Sequence, residues 1–376
     1  MIEIKDKRDC CGCAACVQIC PKHCISLKDD TEGFLYPLVN KNTCINCKLC
    51  EHVCPCMNQN ESKQPLLINA TFNKNEKERI ESSSGGLFSV FARYILDQGG
   101  GVIFGARFDE QWNVIHDYAE DLEGLSTFRG SKYVQSNIGD TYKKAQSFLQ
   151  SGRKVLFSGT PCQIAGLNKF LRKQYDNLLT IEVVCHGVPS PLAWKSYLDY
   201  INPQHRLIKN INLRDKSHGW KRYSYLIEAE DIILVSDYAS SSLYLKGFSL
   251  NLTIRPSCYK CPAKEFKSDA DVTLADCWGV EKLDYYDDDK GISIVICNST
   301  KAISILQKLG LTTIQVGYEF VKKYNPAIYL SSRRPYYRHL FWQLFPKHGI
   351  QSVEIVQKKL HNPFFRMYNY IRTLIK

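Results

Sequence analysis

Long apolar runs are missing from this sequence. None approaches the ~20 consecutive residues that a membrane-crossing helix needs. The opening, Met1 to Arg8, is polar and charged, so no secretory leader is expected. Histidine is scarce, 9 in 376 residues. No Ser/His/Asp nucleophile set and no phosphate-transfer loop can be traced. Low-complexity tracts and solenoid repeats are absent as well. These absences count against a hydrolase, a kinase, a helical membrane protein and a repeat scaffold. Acid is scarce at one end only: Arg333 to Lys376 holds nine Lys or Arg against Glu354 alone. What the chain has in excess is cysteine, seventeen in all.

Eight of those cysteines form one pattern written twice. Cys10, Cys13, Cys16 and Cys20 precede Pro21; Cys44, Cys47, Cys50 and Cys54 precede Pro55. Each half reads C-x₂-C-x₂-C-x₃-C-P, offset by 34 residues. The spacing resembles that of bacterial ferredoxins with two four-iron clusters. Three thiolates two residues apart wrap one cluster, and the fourth, before the proline, reaches the other. The expected ligand sets are Cys10, Cys13, Cys16 with Cys54, and Cys44, Cys47, Cys50 with Cys20. Paired zinc sites are the competing reading, since C-x-x-C also suits zinc. The compressed four-cysteine run with little histidine nearby favours iron and sulfide. Cys11, Cys24 and Cys56 lie outside the pattern and read as buried apolar groups or supporting thiols. Thiolates and sulfide imply a reducing cytoplasm rather than a disulfide-bonded secreted protein.

The length suggests two or three domains. Residues 1–60 are too few to bury a large core and read as a two-cluster [4Fe-4S] ferredoxin domain held by its clusters. Residues 57–66 are polar and mark a linker. From there to about 330 the pattern alternates in the α/β manner, so the expected class is α+β with an α/β portion. Helices are predicted at 87–98, 141–150, 163–172, 191–201 and 301–309. Strands are predicted at 101–108, 114–118, 154–157, 179–184, 271–275 and 292–297, with a hairpin at 223–228 and 232–235. Residues 331–376 form a basic, aromatic, helical extension. It contains Tyr336, Tyr337, Phe341, Trp342, Phe345, Phe364, Phe365, Tyr368 and Tyr370. Such a segment packs its aromatics on the main domain or lies on an anionic membrane face, and packing is favoured. Nucleic acid is not expected as a partner, because no binding module accompanies the charge.

Four further stretches carry chemistry. Ser82-Ser83-Ser84-Gly85-Gly86 precedes an apolar helix, where free N–H groups can hold a phosphate, or simply cap the helix. Arg129-Gly130-Ser131-Lys132-Tyr133 offers two cations and a hydroxyl. Phe157-Ser158-Gly159-Thr160-Pro161-Cys162-Gln163 turns a strand into a helix and sets Cys162 at its N-terminus, where the dipole favours thiolate. Glu182-Val183-Val184-Cys185-His186-Gly187 repeats that layout, so Cys162 and Cys185 are expected at one edge of a parallel sheet. Cys258-Tyr259-Lys260-Cys261-Pro262 is a C-x-x-C knuckle. These four cysteines suffice for a third cluster. Alternatively, Cys162 and Cys185 are core residues and the knuckle is a zinc half-site or redox pair.

The stretches SSSGGLFS, GSKYVQS, SGTPCQIAGL, VVCHGVPSP, LRDKSHGW, CYKCP and DVTLADCWG follow one another as in the beta-subunit family of coenzyme F420 (deazaflavin) hydrogenases and dehydrogenases. The resemblance runs to about residue 330. It implies an iron–sulfur flavoprotein with FAD around Ser84, Gly85, Gly86, Ser131 and Lys132. It also implies a third [4Fe-4S] cluster on Cys162, Cys185, Cys258 and Cys261. Cys277 stands where the family often has an aromatic residue and is a rival ligand. A subclass found with surface-polysaccharide genes is similar too, which weakens deazaflavin as the substrate. The expected function is a cytoplasmic oxidoreductase passing electrons between clusters, FAD and an unidentified small molecule or glycan precursor. A redox protein or reduced carrier is the expected partner. The rivals are a carrier subunit without catalysis and an adaptor at the inner membrane face. His186 is the histidine to watch as a proton donor.

Overall fold

The computed structural model describes residues 1–230 and 232–361, with side chains to Lys359. Phe364, Phe365, Tyr368 and Tyr370 lie outside the described residues.

Four short strands with apolar residues on both faces form the centre: Val102–Phe108, Val155–Gly159, Leu178–Val183 and Val272–Asp276. They run parallel as neighbours in that order. Near-continuous apolar runs such as Val155-Leu156-Phe157 suit strands covered on both sides. Antiparallel strands extend both flanks. Val114–Ala119 pairs with Val102–Phe108; Ser293–Cys297, Leu67–Thr71 and Ile314–Gln315 follow Val272–Asp276. The sheet is therefore mixed, with eight strands. No strand was expected at Leu67–Thr71, because Asn69 breaks its apolar run and hides the pattern.

Side chains alternate across the sheet. Val102, Phe104, Val155 and Phe157 face one core, covered by the helices Thr141–Gln150 and Pro161–Leu171. Ile103, Leu156, Leu179 and Ile181 face the other, covered by Leu87–Leu96 and Thr300–Lys308. The expected hairpin is present as Ser224–Ala229 on Ile232–Tyr238, with Ile208–Asp215 as a third strand.

The N-terminal segment joins the first core. Cys11, Cys13, Ala14, Ala15 and Val53 pack in one cluster with Tyr142, Ile164, Leu167 and Phe157. Polar ties add to it: Gln18 Oε1 accepts from the N–H groups of Tyr142 and Lys143. At the other end, Phe341 and Phe345 of the helix Arg338–His348 are buried with Trp194, Tyr197 and Tyr244. Among the described residues, no helix is long and apolar enough to cross a membrane.

Candidate metal centres

The 34-residue repeat is also a repeat of backbone. Gly12 and Ala14 have φ of 74° and 57°, and their counterparts Asn46 and Lys48 have 54° and 60°. Each pair brackets the middle cysteine of its run, Cys13 or Cys47. Short helices follow at matching places, Ala15–Gln18 and Leu49–His52. Left-handed residues curl a loop so that its N–H groups point inward, as at many iron–sulfur sites. The N–H groups of Gly12, Ala15 and Val17 are aimed at the thiols of Cys10, Cys13 and Cys16. Ile2 donates to Cys50 Sγ at 3.4 Å.

Two cavities divide the eight cysteines. One is lined by Cys10, Cys13, Cys16 and Cys54, with Cys11 and Cys56 beside them. The other is lined by Cys44, Cys47, Cys50 and Cys20, with Cys24. Each cavity takes three cysteines from one half and the fourth from the other. Among the described residues, no three potential ligands converge as a single metal ion requires. The thiols stand around the cavity walls instead. Cys54 is held down to about 6 by the Cys56 thiol, helped by the N–H groups of Met57 and Cys56. Burial opposes ionisation of Cys20, but the N–H groups of Cys24, Lys22 and His23 outweigh it and keep its pKa below the usual value. Cys24 Sγ lies 3.3 Å from Cys20 Sγ. The extra cysteines thus sit against the two runs.

A third group forms at the carboxyl edge of the sheet. Cys162 opens the helix Pro161–Leu171 directly after the strand Val155–Gly159. Cys185 follows the parallel neighbour Leu178–Val183. Cys258 and Cys261 approach from the 3₁₀ turn Pro256–Lys260 and its end. The four feel one another electrostatically: Cys185 is disfavoured as an anion by Cys162 and Cys261, and Cys258 by Cys185, Cys261 and Cys162. Burial first, then this repulsion, pushes Cys185 up to about 12. Cys162 is pushed up as well, first by a hydrogen bond with the Cys11 thiol and then by burial. The helix dipole therefore does not make Cys162 a thiolate by itself. Val188 N–H donates to Cys258 Sγ at 3.5 Å. Four half-buried thiols that resist ionising together are a donor set that needs a cationic core to neutralise them.

Cys277 is not in this group. It is fully buried among Trp220, Ile294 and Val280, with Asp276, Asp287 and Glu281 as its charged neighbours. His186 is exposed; its Nε2 bonds Asn251 Oδ1 and its ring meets Phe248 edge-on.

The reason for Thr160-Pro161-Cys162-Gln163 appears underneath the helix. Gln163 Oε1 accepts from Thr160 N–H, completing a capping box. Gln163 Nε2 donates to Ser136 Oγ, which bonds His116 Nδ1 at 2.8 Å; His116 Nε2 bonds Ser158 O at 2.9 Å. Burial drives the His116 pKa down to about 4, so the ring is neutral. Nε2 then donates to the carbonyl, and Nδ1 accepts from the hydroxyl. His116 was not a sequence candidate, and no local signal points to it.

The serine–glycine loop meets the other motifs as well. Ser131 N–H donates to Ser83 Oγ at 2.7 Å, and Gly85 N–H to Ser293 Oγ at 2.9 Å. Ser84 Oγ donates to Ile292 O. Gly86, with φ of 80°, starts the helix Leu87–Leu96. Lys132 Nζ donates to the carbonyls of Thr127 and Arg129, and burial lowers its pKa to about 7. Arg214 donates to Ser83 O and pairs with Asp276; Lys216 donates to Ser84 O. Of the donors expected to face a phosphate, Gly85 N–H, Ser131 N–H and Lys132 Nζ are therefore engaged inside the chain. Arg214 Nε is buried without a partner.

Known proteins resemble part of this chain. Residues 152–315 match the family described as the C terminus of the coenzyme F420 hydrogenase/dehydrogenase beta subunit. The coenzyme F420-dependent sulfite reductase of Methanocaldococcus jannaschii is 27% identical over 202 residues, 52% of this chain and 30% of that protein. The chain thus spans under a third of that relative's length. A chain of the F420-reducing [NiFe] hydrogenase complex from Methanosarcina barkeri, solved as a xenon derivative, aligns with a TM-score of 0.49 and 16% identity, over 71% of this chain and 90% of that one. Cys162, Cys185, Cys258 and Cys261 all fall inside the family match, and the eight N-terminal cysteines precede it. Over residues 152–315 this chain is thus similar to the C terminus of the coenzyme F420 hydrogenase/dehydrogenase beta subunit.

Proposed function

We propose that the chain is an iron–sulfur oxidoreductase of an F420-related, electron-transfer kind. It would hold two [4Fe-4S] clusters in residues 1–60 and a third on Cys162, Cys185, Cys258 and Cys261. The observation that carries this reading is the crossed partition of cysteines between two cavities. A ligand set drawn from both halves is what two four-iron clusters require and what separate zinc knuckles do not. Such clusters supply one-electron steps. The chain's own part is to hold thiolates, direct N–H groups at sulfur and keep water out. The proposed partner is a redox protein or reduced carrier that meets the exposed Cys47 side.

FAD is part of the proposal for the place where the serine–glycine loop, Lys132 and Arg214 meet. The unpartnered Arg214 Nε supports a ligand there. Contact with Gly85 or Ser131 through N–H groups requires their internal bonds to be exchanged. Those bonds favour a second reading, a carrier subunit without flavin. The organic substrate, deazaflavin or a glycan precursor, belongs to the flavin reading alone.

Anaerobic purification tests both. About twelve irons and twelve sulfides per chain are expected, four per cluster. About eight would remove the third centre, and zinc in place of iron would overturn the reading. Flavin released on denaturation decides between enzyme and carrier.

A further inference from the structure

Arg255 is a buried cation without a carboxylate. It is 0% exposed. Its Nε donates to Cys10 O at 2.7 Å, Nη1 to Gln135 Oε1 at 2.9 Å, and Nη2 to Leu35 O at 2.9 Å and to Cys10 Sγ at 3.5 Å. The Tyr36 ring lies against it, 4.3 Å from centroid to guanidinium, and Phe34 at 5.3 Å. The other deeply buried arginines have acids: Arg79 pairs with Asp288, Arg214 with Asp276, Arg338 with Glu32. Among the described residues none pairs with Arg255. Carbonyls and an amide satisfy its hydrogen bonds but do not cancel its charge. A buried charge persists only where an opposite charge is present. Among the described residues, the groups against Arg255 that can carry negative charge are the Cys10 thiol and the Tyr36 phenol, and burial pushes the Tyr36 pKa up. Arg255 Nη2 reaches the Cys10 sulfur directly, and Arg255 precedes Cys258 by three residues. The counterpart of Cys10 in the repeat, Cys44, has no such guanidinium among the described residues.

We propose that Arg255 is the built-in counter-ion of the centre lined by Cys10, Cys13, Cys16 and Cys54, a positioning residue that holds this centre at a higher reduction potential than its twin. The inference rests on the iron–sulfur reading above. Four thiolates around a [4Fe-4S]²⁺ core carry a net charge of about −2, and one added electron makes it about −3. A fixed positive charge stabilises the second state more than the first, so it raises the potential. The bonds to Leu35, Gln135 and the Cys10 carbonyl keep the guanidinium from swinging away. The consequence is directional. One electron delivered by a one-electron donor to the twin, beside the exposed Cys47, comes to rest on the centre that adjoins Cys162 through Cys11.

The test is an anaerobic redox titration of the full chain, with dithionite as reductant and electron paramagnetic resonance as readout. Cys13→Ala and Cys47→Ala assign the two N-terminal signals. In the wild type the Cys10 centre should have the higher midpoint. Arg255→Gln should shift its reduced-to-oxidised ratio at least tenfold towards oxidised at fixed potential, which is 59 mV for a one-electron couple. The twin's midpoint should stay unchanged. Arg255→Lys keeps the charge and should shift the ratio less than threefold. A fully loaded Arg255→Gln with both midpoints unmoved overturns the inference. If Arg255→Gln does not load that centre, Arg255→Lys decides: a near-native midpoint supports it, and a tenfold shift overturns it. A wild type without iron would defeat the iron–sulfur reading itself, which the iron count shows before any titration.

Discussion

Replacing Gly166 by alanine tests how closely the N-terminal segment is fitted to the helix Pro161–Leu171. Gly166 is buried in the helix Pro161–Leu171. A Cβ there would lie 2.7 Å from Cys13 Cβ, 2.9 Å from Cys13 Sγ and 3.0 Å from the Tyr142 hydroxyl. In a helix interior alanine is ordinarily better than glycine by about 0.5–1 kcal/mol. Overpacking a tight site costs about 1–3 kcal/mol. The difference is a destabilisation of roughly 0–2.5 kcal/mol, opposite in sign to the propensity gain. For a chain of this size a loss of ~1 kcal/mol lowers the melting temperature by only about 1–2 °C. Because Cys13 must move, iron per chain should also fall by up to about four, the content of one cluster. Thermal melts and iron analysis of anaerobic protein are the measurements. A variant that melts above the wild type with full iron would refute the contact between Gly166 and Cys13.

Three other outcomes follow from the geometry. Cys20→Ser should abolish the signal of the cluster held by Cys44, Cys47 and Cys50 and spare the other, as seen by electron paramagnetic resonance; loss of the Cys10 group's signal instead would disprove crossed ligation. Cys258→Ser should remove about four irons per chain while both N-terminal signals remain, and an unchanged iron content would rule out the third centre. His116 gives a pH dependence: the unfolded chain takes up its proton near pH 6.5, and the folded chain refuses it until about 4. Stability should therefore fall as pH drops through that window, by up to about 3 kcal/mol, and urea midpoints of His116→Gln should show a flatter slope there than wild type.

Much of the candidate site was legible because ligation and backbone turns impose local spacing. Cys10 to Cys20 and Cys44 to Cys54 announce themselves, since each loop must present its thiols within a few residues. Cys162 and Cys185 could be placed at one sheet edge because Val155-Leu156-Phe157 and Leu178-Leu179 read as buried strands. Contacts made across the chain left no such mark. Arg255 reaches Cys10 over 245 residues, and nothing in its neighbourhood distinguishes it from a surface arginine. His116 supports Thr160-Pro161-Cys162-Gln163 from a strand 42 residues away from Ser158. The loop Ser82–Gly86 illustrates a different difficulty. Small residues and hydroxyls are required wherever a backbone is approached closely, whether by a phosphate or by another strand. Here Gly85 packs so tightly on Ser293 that a Cβ would lie 2.7 Å from its backbone nitrogen. Sequence alone cannot separate those two causes of the same composition.

The position of Cys11 joins these observations. Its thiol contacts Cys13, Cys56 and Cys162, so the wall of one N-terminal cavity is also the approach to the sheet-edge group. The same stretch, Cys11 to Ala15, packs on Tyr142, Ile164 and Leu167 in the core beneath the sheet. A cluster held by Cys10 to Cys16, as proposed, would therefore organise part of that core. Metal binding and folding then share one free energy, as in small metalloproteins whose ligands lie in the fold's own packing. A thiol lost at Cys13 would remove a proposed ligand and also loosen the seat of the helix that carries Cys162. Damage at the first centre should accordingly reach the third through packing, whereas damage at the exposed Cys47 side, which lies outside that core, should stay local.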